Sequence, residues 1–209
     1  MKLWHCKDAR SFRVLWALEE MGLDYELEML AFPPRWRAPD FLEVNPLGTI
    51  PFFVDGDTVM TESAAILEYL AVRHGPGLGV AADEADYGAY LNWLHQGEAT
   101  LTFPQTLVFR YAVLEPPEKR QPKVAADYLK WFVARTVMAE TTLADGRDWL
   151  CAGRFTVADI SVAYALLFAE TLGHLDQVGP HLRAFWDRCQ AREGFARAKA
   201  AQGGSGFGA

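Results

Sequence analysis

Two short segments carry groups able to grip a small peptide: Asn45-Pro46-Leu47-Gly48-Thr49-Ile50-Pro51 and, ten residues after Pro51, Thr61-Glu62-Ser63. Pro51 opens a strand. A cis bond before it turns the Ile50 backbone outward, leaving the Ile50 N–H and C=O to pair with an extended peptide as a strand edge does. Glu62 and Ser63 stand where a helix begins. There the Ser63 N–H and hydroxyl, reinforced by the helix dipole, bind a carboxylate, and Glu62 pairs with an α-amino group beside it. Each element alone reads as ordinary structure, since T-x-P turns precede many strands and Ser at a helix start commonly only caps it. Together, downstream of a βαβ pattern, they read as a site that recognises an amino acid at both its charges.

These segments need a frame. Lys2 to Cys6 is β-prone, and Ser11 to Met21 carries Val14, Leu15, Leu18 and Met21 at helical spacing before Gly22. Tyr25 to Leu30 alternates as a second strand until Phe32-Pro33-Pro34 stops it. Phe52-Phe53-Val54 and Thr58-Val59-Met60 flank the hairpin turn Asp55-Gly56-Asp57, and a helix follows from about Ser63 to His74. The order βαβ then ββα predicts a four-stranded thioredoxin-like domain over residues 1–76. Beyond a Gly/Pro-rich break at Gly75–Gly79 only helices are expected, over Glu84–Tyr111, Lys123–Leu143, Thr156–Leu172 and Leu182–Arg192, forming an all-α bundle at 82–202. Thr156 and Asp159 form a capping box for the nearly all-apolar third of these, which belongs at a bundle centre. The Gly-rich stretch 203–209 reads as a flexible tail. The fold class is therefore α+β.

Composition excludes other classes. With 209 residues, 51% of them hydrophobic, the chain is long enough for a sizeable core. A net charge of −7 with no Lys/Arg cluster argues against nucleic acid, and Lys7, Arg10 and Arg13, interrupted by Asp8, read as a solvated face. The run Ile160–Ala169 is too short to span a bilayer, and the N-terminus lacks the apolar stretch of a signal peptide. Three scattered cysteines, Cys6, Cys151 and Cys189, fit a reducing cytoplasm, and the five histidines show no close ligand pairing, so no metal is expected.

The chain resembles the glutathione transferase superfamily through Asn45–Pro51, Glu62-Ser63-Ala64-Ala65-Ile66-Leu67-Glu68-Tyr69-Leu70 and Phe155-Thr156-Val157-Ala158-Asp159-Ile160, a match that runs from residue 1 to about 200. The resemblance implies a thioredoxin-like domain, a helical domain, a homodimer, and glutathione held between sheet and helices, with Ile50, Pro51, Glu62 and Ser63 as its contacts. Two functions follow from it. One is an enzyme that directs the glutathione thiolate at an electrophilic carbon or a disulfide; the other is a non-catalytic module of the same fold that binds a protein partner.

Sulfur chemistry makes a further demand. A free thiol titrates near about 8.5, so a well-populated thiolate at neutral pH requires a downward shift worth roughly 2.7 kcal/mol. One charged hydrogen bond, at about 1.5–3 kcal/mol, with a helix N-terminus supplies that. The superfamily places its sulfur-stabilising residue in the loop after the first strand, where Ser11 is the candidate catalytic hydroxyl. Anchored on Arg13-Val14, the serine of several classes would fall on Ala9, so Ser11 also reads as a cap of the first helix. Cys6 reads as a core thiol, and the backbone N–H groups of Arg10 and Ser11, or the Arg10 cation, offer stabilisation without a hydroxyl. Arg35, in Arg35-Trp36-Arg37, suits the glycine carboxylate of glutathione, with a solvated loop as the plain alternative. Phe103 and Tyr111, with Pro104 and Phe109, supply an aromatic lining for the second substrate or else belong to the core.

Overall fold

Strand β1 (Lys2–His5) alternates half-buried and buried residues and leads, through a tight loop, into α1 (Phe12–Met21), which is buried from Phe12 to Leu18 and ends on a left-handed Gly22. Strand β2 (Glu26–Met29) follows, then two single helical turns, α2 (Pro34–Arg37) and α3 (Phe41–Val44). The hairpin β3 (Phe52–Asp55) and β4 (Thr58–Met60) leads into α4 (Ser63–Arg73). The sheet order is β2-β1-β3-β4, with β1 parallel to β2 and antiparallel to β3. This register sets Leu3 opposite Leu27 on one side and Phe53 on the other, so buried Leu3 and Phe53 lie side by side. The computed structural model describes residues 1–203, so the expected tail lies, from 204 on, outside the described residues.

The chain forms two compact units, Val80–Cys189 and Met1–Gly79, the latter joined by the described residues from Gln190 onward. This differs from the expected helical stretch 82–202, because the last helix, α11 (Glu193–Ala201), packs on α1. Phe195 meets Trp16 and Phe12 edge-on at 5.0 and 5.5 Å, Arg192 makes a paired contact with Glu20 at 2.8 and 2.9 Å, and Arg197 reaches Glu19 at 3.1 Å. Planar guanidinium forks suit such carboxylates. The sequence shows only a second amphipathic stretch; which unit it joins depends on contacts across the whole chain.

In the other unit, α5 (Tyr87–Gln96), a π-helical turn at Gly97–Thr102, α6 (Phe103–Phe109) and a second π turn at Arg110–Leu114 form one continuous helical run where Glu84–Tyr111 is expected. The expected helix Lys123–Leu143 is split at Thr136, whose hydroxyl donates to the Val133 carbonyl at 2.7 Å, into α7 (Pro122–Arg135) and α8 (Val137–Leu143). Helix α9 (Val157–Thr171) is buried from Val157 to Ala169, and α10 spans Pro180–Gln190. The capping box of α9 is present: the Ala158 N–H donates to Thr156 Oγ1 at 3.3 Å, and Asp159 Oδ2 accepts from the Thr156 N–H at 2.8 Å. At Gly97 a Cβ would lie 2.3 Å from Ser161 Oγ, so only glycine lets this run approach α9 so closely. Among the described residues no helix is long and apolar enough to cross a membrane.

Candidate functional site

The loop before β3 is shaped by Asn45. Its buried side chain donates to the Thr49 carbonyl at 2.8 Å and accepts from the Leu47 N–H at 3.1 Å, which fixes the turn locally. Gly48 sits at φ 57°, and a Cβ there would lie 2.9 Å from Leu42 Cδ2 and 3.1 Å from Arg35 Cβ, so glycine meets both a backbone and a packing requirement. Arg35 is thereby laid along the loop, and its guanidinium donates to the Leu47 carbonyl while the residue stays exposed. The Ile50–Pro51 bond is cis and Pro51 is buried. Among the described residues neither the N–H nor the C=O of Ile50 has a hydrogen-bond partner.

Glu62 and Ser63 form the start of α4. Glu62 is the extended N-cap residue, at φ −94° and ψ 115°, and its side chain makes no cap hydrogen bond. Its exposed carboxylate has no partner among the described residues. Ser63 is buried, and its Oγ accepts from Arg13 Nη1 at 3.3 Å. Because that oxygen accepts from a cation, its own proton points elsewhere and remains available to an anion. Arg13 corrects the expectation of a solvated basic face: it is 0% exposed. The reason is its helix position, within the stretch of α1 that is buried throughout. A buried guanidinium beside a helix N-terminus adds full positive charge where the peptide dipoles already contribute a partial one.

The loop from Cys6 to Ser11 is the third part. Ser11 is 0% exposed and makes no cap bond to α1; instead its Oγ lies 2.7 Å from His5 Nδ1 and accepts from the Cys6 N–H at 3.3 Å. Proton positions follow from Gln202, just past the end of α11. Its Oε1 accepts from the Asp8 N–H at 3.1 Å and its Nε2 donates to Asp8 Oδ1 at 2.6 Å, which fixes the amide's orientation. The same Oε1 lies 2.9 Å from His5 Nε2, so that nitrogen carries the ring proton, Nδ1 is bare, and the Ser11 O–H donates to it. Burial holds His5 at a pKa of about 4, which keeps the ring neutral at neutral pH. The hydroxyl expected to face sulfur thus has its proton directed into the core. Burial also pushes the Cys6 thiol up to about 12, which makes it an inert core residue.

Phe103 opens α6 half exposed, at 50%, and Tyr111 is half-buried in the second π turn, whereas Pro104 and Phe109 are core. Sequence reasoning missed Arg13 and the pair Gln202 and Lys199. For Arg13 a signal existed, since it lies among the apolar residues of α1; for the other two there was none, as their partners lie 191 to 197 positions away. Among the described residues, groups of three or more His, Cys, Asp or Glu able to hold a metal ion are absent.

Comparison with known proteins bears on this geometry. Residues 9–73 match the family model for the glutathione S-transferase N-terminal domain, and residues 120–188 match that for the C-terminal domain. Glutathione S-transferase 3 of Zea mays is 32% identical, over 90% of this chain and 88% of its own. Glutathione S-transferase GstA of Escherichia coli O157:H7 is 28% identical, over 97% and 99%. A sphingomonad glutathione S-transferase, solved in complex with glutathione, superposes with a TM-score of 0.82 at 26% identity, covering 97% of this chain and 99% of the other.

Proposed function

Since the chain belongs to the glutathione S-transferase family, we propose that its first unit binds glutathione through the segments around Ile50 and Glu62 and activates the thiol for transfer. The observation that carries this is the Glu62 carboxylate, exposed and without a protein partner beside the N-terminus of α4, where an α-amino group would complete it. The γ-glutamyl carboxylate is received by the Ser63 N–H and by the hydroxyl that Arg13 orients. Ile50 presents its unpaired N–H and C=O to the central residue of the tripeptide, with Pro51 fixing the turn, and Arg35 reaches the glycine carboxylate with the donors that Leu47 leaves over.

Sulfur is stabilised by the loop rather than by a side-chain hydroxyl. Ser11 turns its hydroxyl to His5 in the core, and the thiolate is held by the backbone N–H groups of Arg10 and Ser11 and by the half-exposed Arg10 cation. The thiolate then attacks an electrophilic carbon or a disulfide sulfur; the new bond to sulfur forms as the leaving group departs with the electron pair. Phe103 and Tyr111 contact that second substrate. The protein works as a cytoplasmic homodimer, which its three buried free thiols and its family favour.

Calorimetric titration with glutathione, combined with the ultraviolet absorbance of bound thiolate at neutral pH, tests this. Saturable binding with a thiolate band is expected. No binding at millimolar glutathione would overturn the proposal.

A further inference from the structure

We propose that Gln202, at the C-terminal end of α11, is a positioning residue for sulfur activation: it sets the shape of the Cys6–Ser11 loop that meets the thiol. The inference rests on the functional reading above. Asp8 lies at φ 52°, a left-handed conformation that non-glycine residues hold only when their surroundings impose it. The surroundings here are two side chains from α11 and its end. Gln202 grips Asp8 at both its N–H and its carboxylate, and Lys199 Nζ lies 2.6 Å from the same carboxylate oxygen.

The Gln202 amide also faces His5 and so decides which ring nitrogen is protonated, and through it where the Ser11 proton points. Asp8, His5 and Gln202 are all buried, so water does not compete for these bonds. The clamp is rigid because α11 is itself fastened to α1 by Arg192 on Glu20. Without Gln202, Asp8 loses two bonds and His5 one. The loop then relaxes, and the Arg10 and Ser11 N–H groups leave the positions where a sulfur anion needs them. The grips at Ile50, Glu62 and Ser63 belong to other segments and stay intact. The signature is therefore a split, with binding kept and thiolate lost.

The experiment compares the full-length chain with Gln202→Ala by glutathione calorimetry, by thiolate absorbance across a pH series, and by turnover of a dinitroaryl chloride. The affinity for glutathione should change less than about threefold. The apparent thiol pKa should rise by about one unit, from about 6.5 to about 7.5, leaving about threefold less thiolate at about pH 7, and kcat should fall with it. Gln202→Glu keeps the acceptor for His5 but sets a carboxylate against Asp8, so it should shift the thiol pKa further in the same direction. An unchanged thiol pKa and kcat in Gln202→Ala with affinity intact overturns the inference alone. A wild-type protein that binds no glutathione overturns the functional reading and this inference with it. If Gln202→Ala does not fold, Gln202→Met, which keeps the bulk and removes the amide, takes its place, and an unchanged thiol pKa there is equally fatal.

Discussion

Replacing Ser11 with alanine separates two accounts of the loop after β1. In the structure its hydroxyl donates to His5 Nδ1 and accepts from the Cys6 N–H, both within the core. Ser11→Ala strips a partner from two buried groups, each costing about 1–3 kcal/mol when left unmet. The Cys6 contact, at 3.3 Å, is the longer and weaker of the two, so a total of about 2–4 kcal/mol is expected. For a chain of this size that lowers the melting temperature by about 5–15 °C. Sulfur should feel little, because the Asp8 conformation is held by Gln202 and Lys199, which the substitution leaves in place. A hydroxyl in contact with the thiolate would instead be worth about 1.5–3 kcal/mol of activation, or roughly 10- to 150-fold in rate. Urea and thermal unfolding beside steady-state turnover at a temperature where the variant is folded give both numbers. Unchanged stability with a rate loss beyond about tenfold would refute the reasoning.

Glu62→Gln should leave the unfolding free energy unchanged, since the carboxylate has no partner and caps nothing, yet raise the glutathione dissociation constant about tenfold or more, as calorimetry will show. His5 is held at about 4 by burial against 6.5 when unfolded, so its contribution to stability is complete above pH 6.5 and disappears as pH falls through 4. Its loss is worth about 3 kcal/mol. Protonation would require Nδ1 to donate toward the Ser11 oxygen, with Asp8 and Lys199 the nearest charges, and urea unfolding from neutral to acid pH should show a slope that His5→Gln lacks. Gly97→Ala should destabilise by about 1–3 kcal/mol through overpacking. Because Ser161 backbone atoms lie only 2.5 Å from the added carbon, Ser161→Ala should not rescue it; a double variant of wild-type stability would count against this packing.

Local patterns in the sequence translated well into structure. The strands around Leu3 and Phe53, the hairpin at Gly56 and the Thr156–Asp159 capping box each depend on residues a few positions apart, and each forms where the sequence points. The single turns α2 and α3 escaped notice because four residues carry no period. Thr136 escaped as well, since a mid-helix threonine breaks a helix only when its hydroxyl turns back on the preceding carbonyl. In the candidate site, Asn45 to Pro51 and Glu62-Ser63 were legible because one chain segment supplies each set of contacts. Arg13 was misread since charge alone suggested solvent, while it lies in the buried stretch of α1 and donates to Ser63, fifty positions later. Ser11 was recognised as important for a reason that geometry redirects, toward a histidine whose tautomer is decided by a residue 197 positions away.

The meeting of β1 with Gln202 has a consequence for biosynthesis. As the chain leaves the ribosome, the residues of the four-stranded sheet emerge first and have their local partners at once. Asp8 gains Gln202 and Lys199 only once α11 has followed, so the nascent protein holds its peptide-gripping segments before the loop at Asp8 has its α11 contacts. Only a chain translated through residue 202 acquires the shape that the reactive loop has here, which ties activation of the thiol to completion of that stretch.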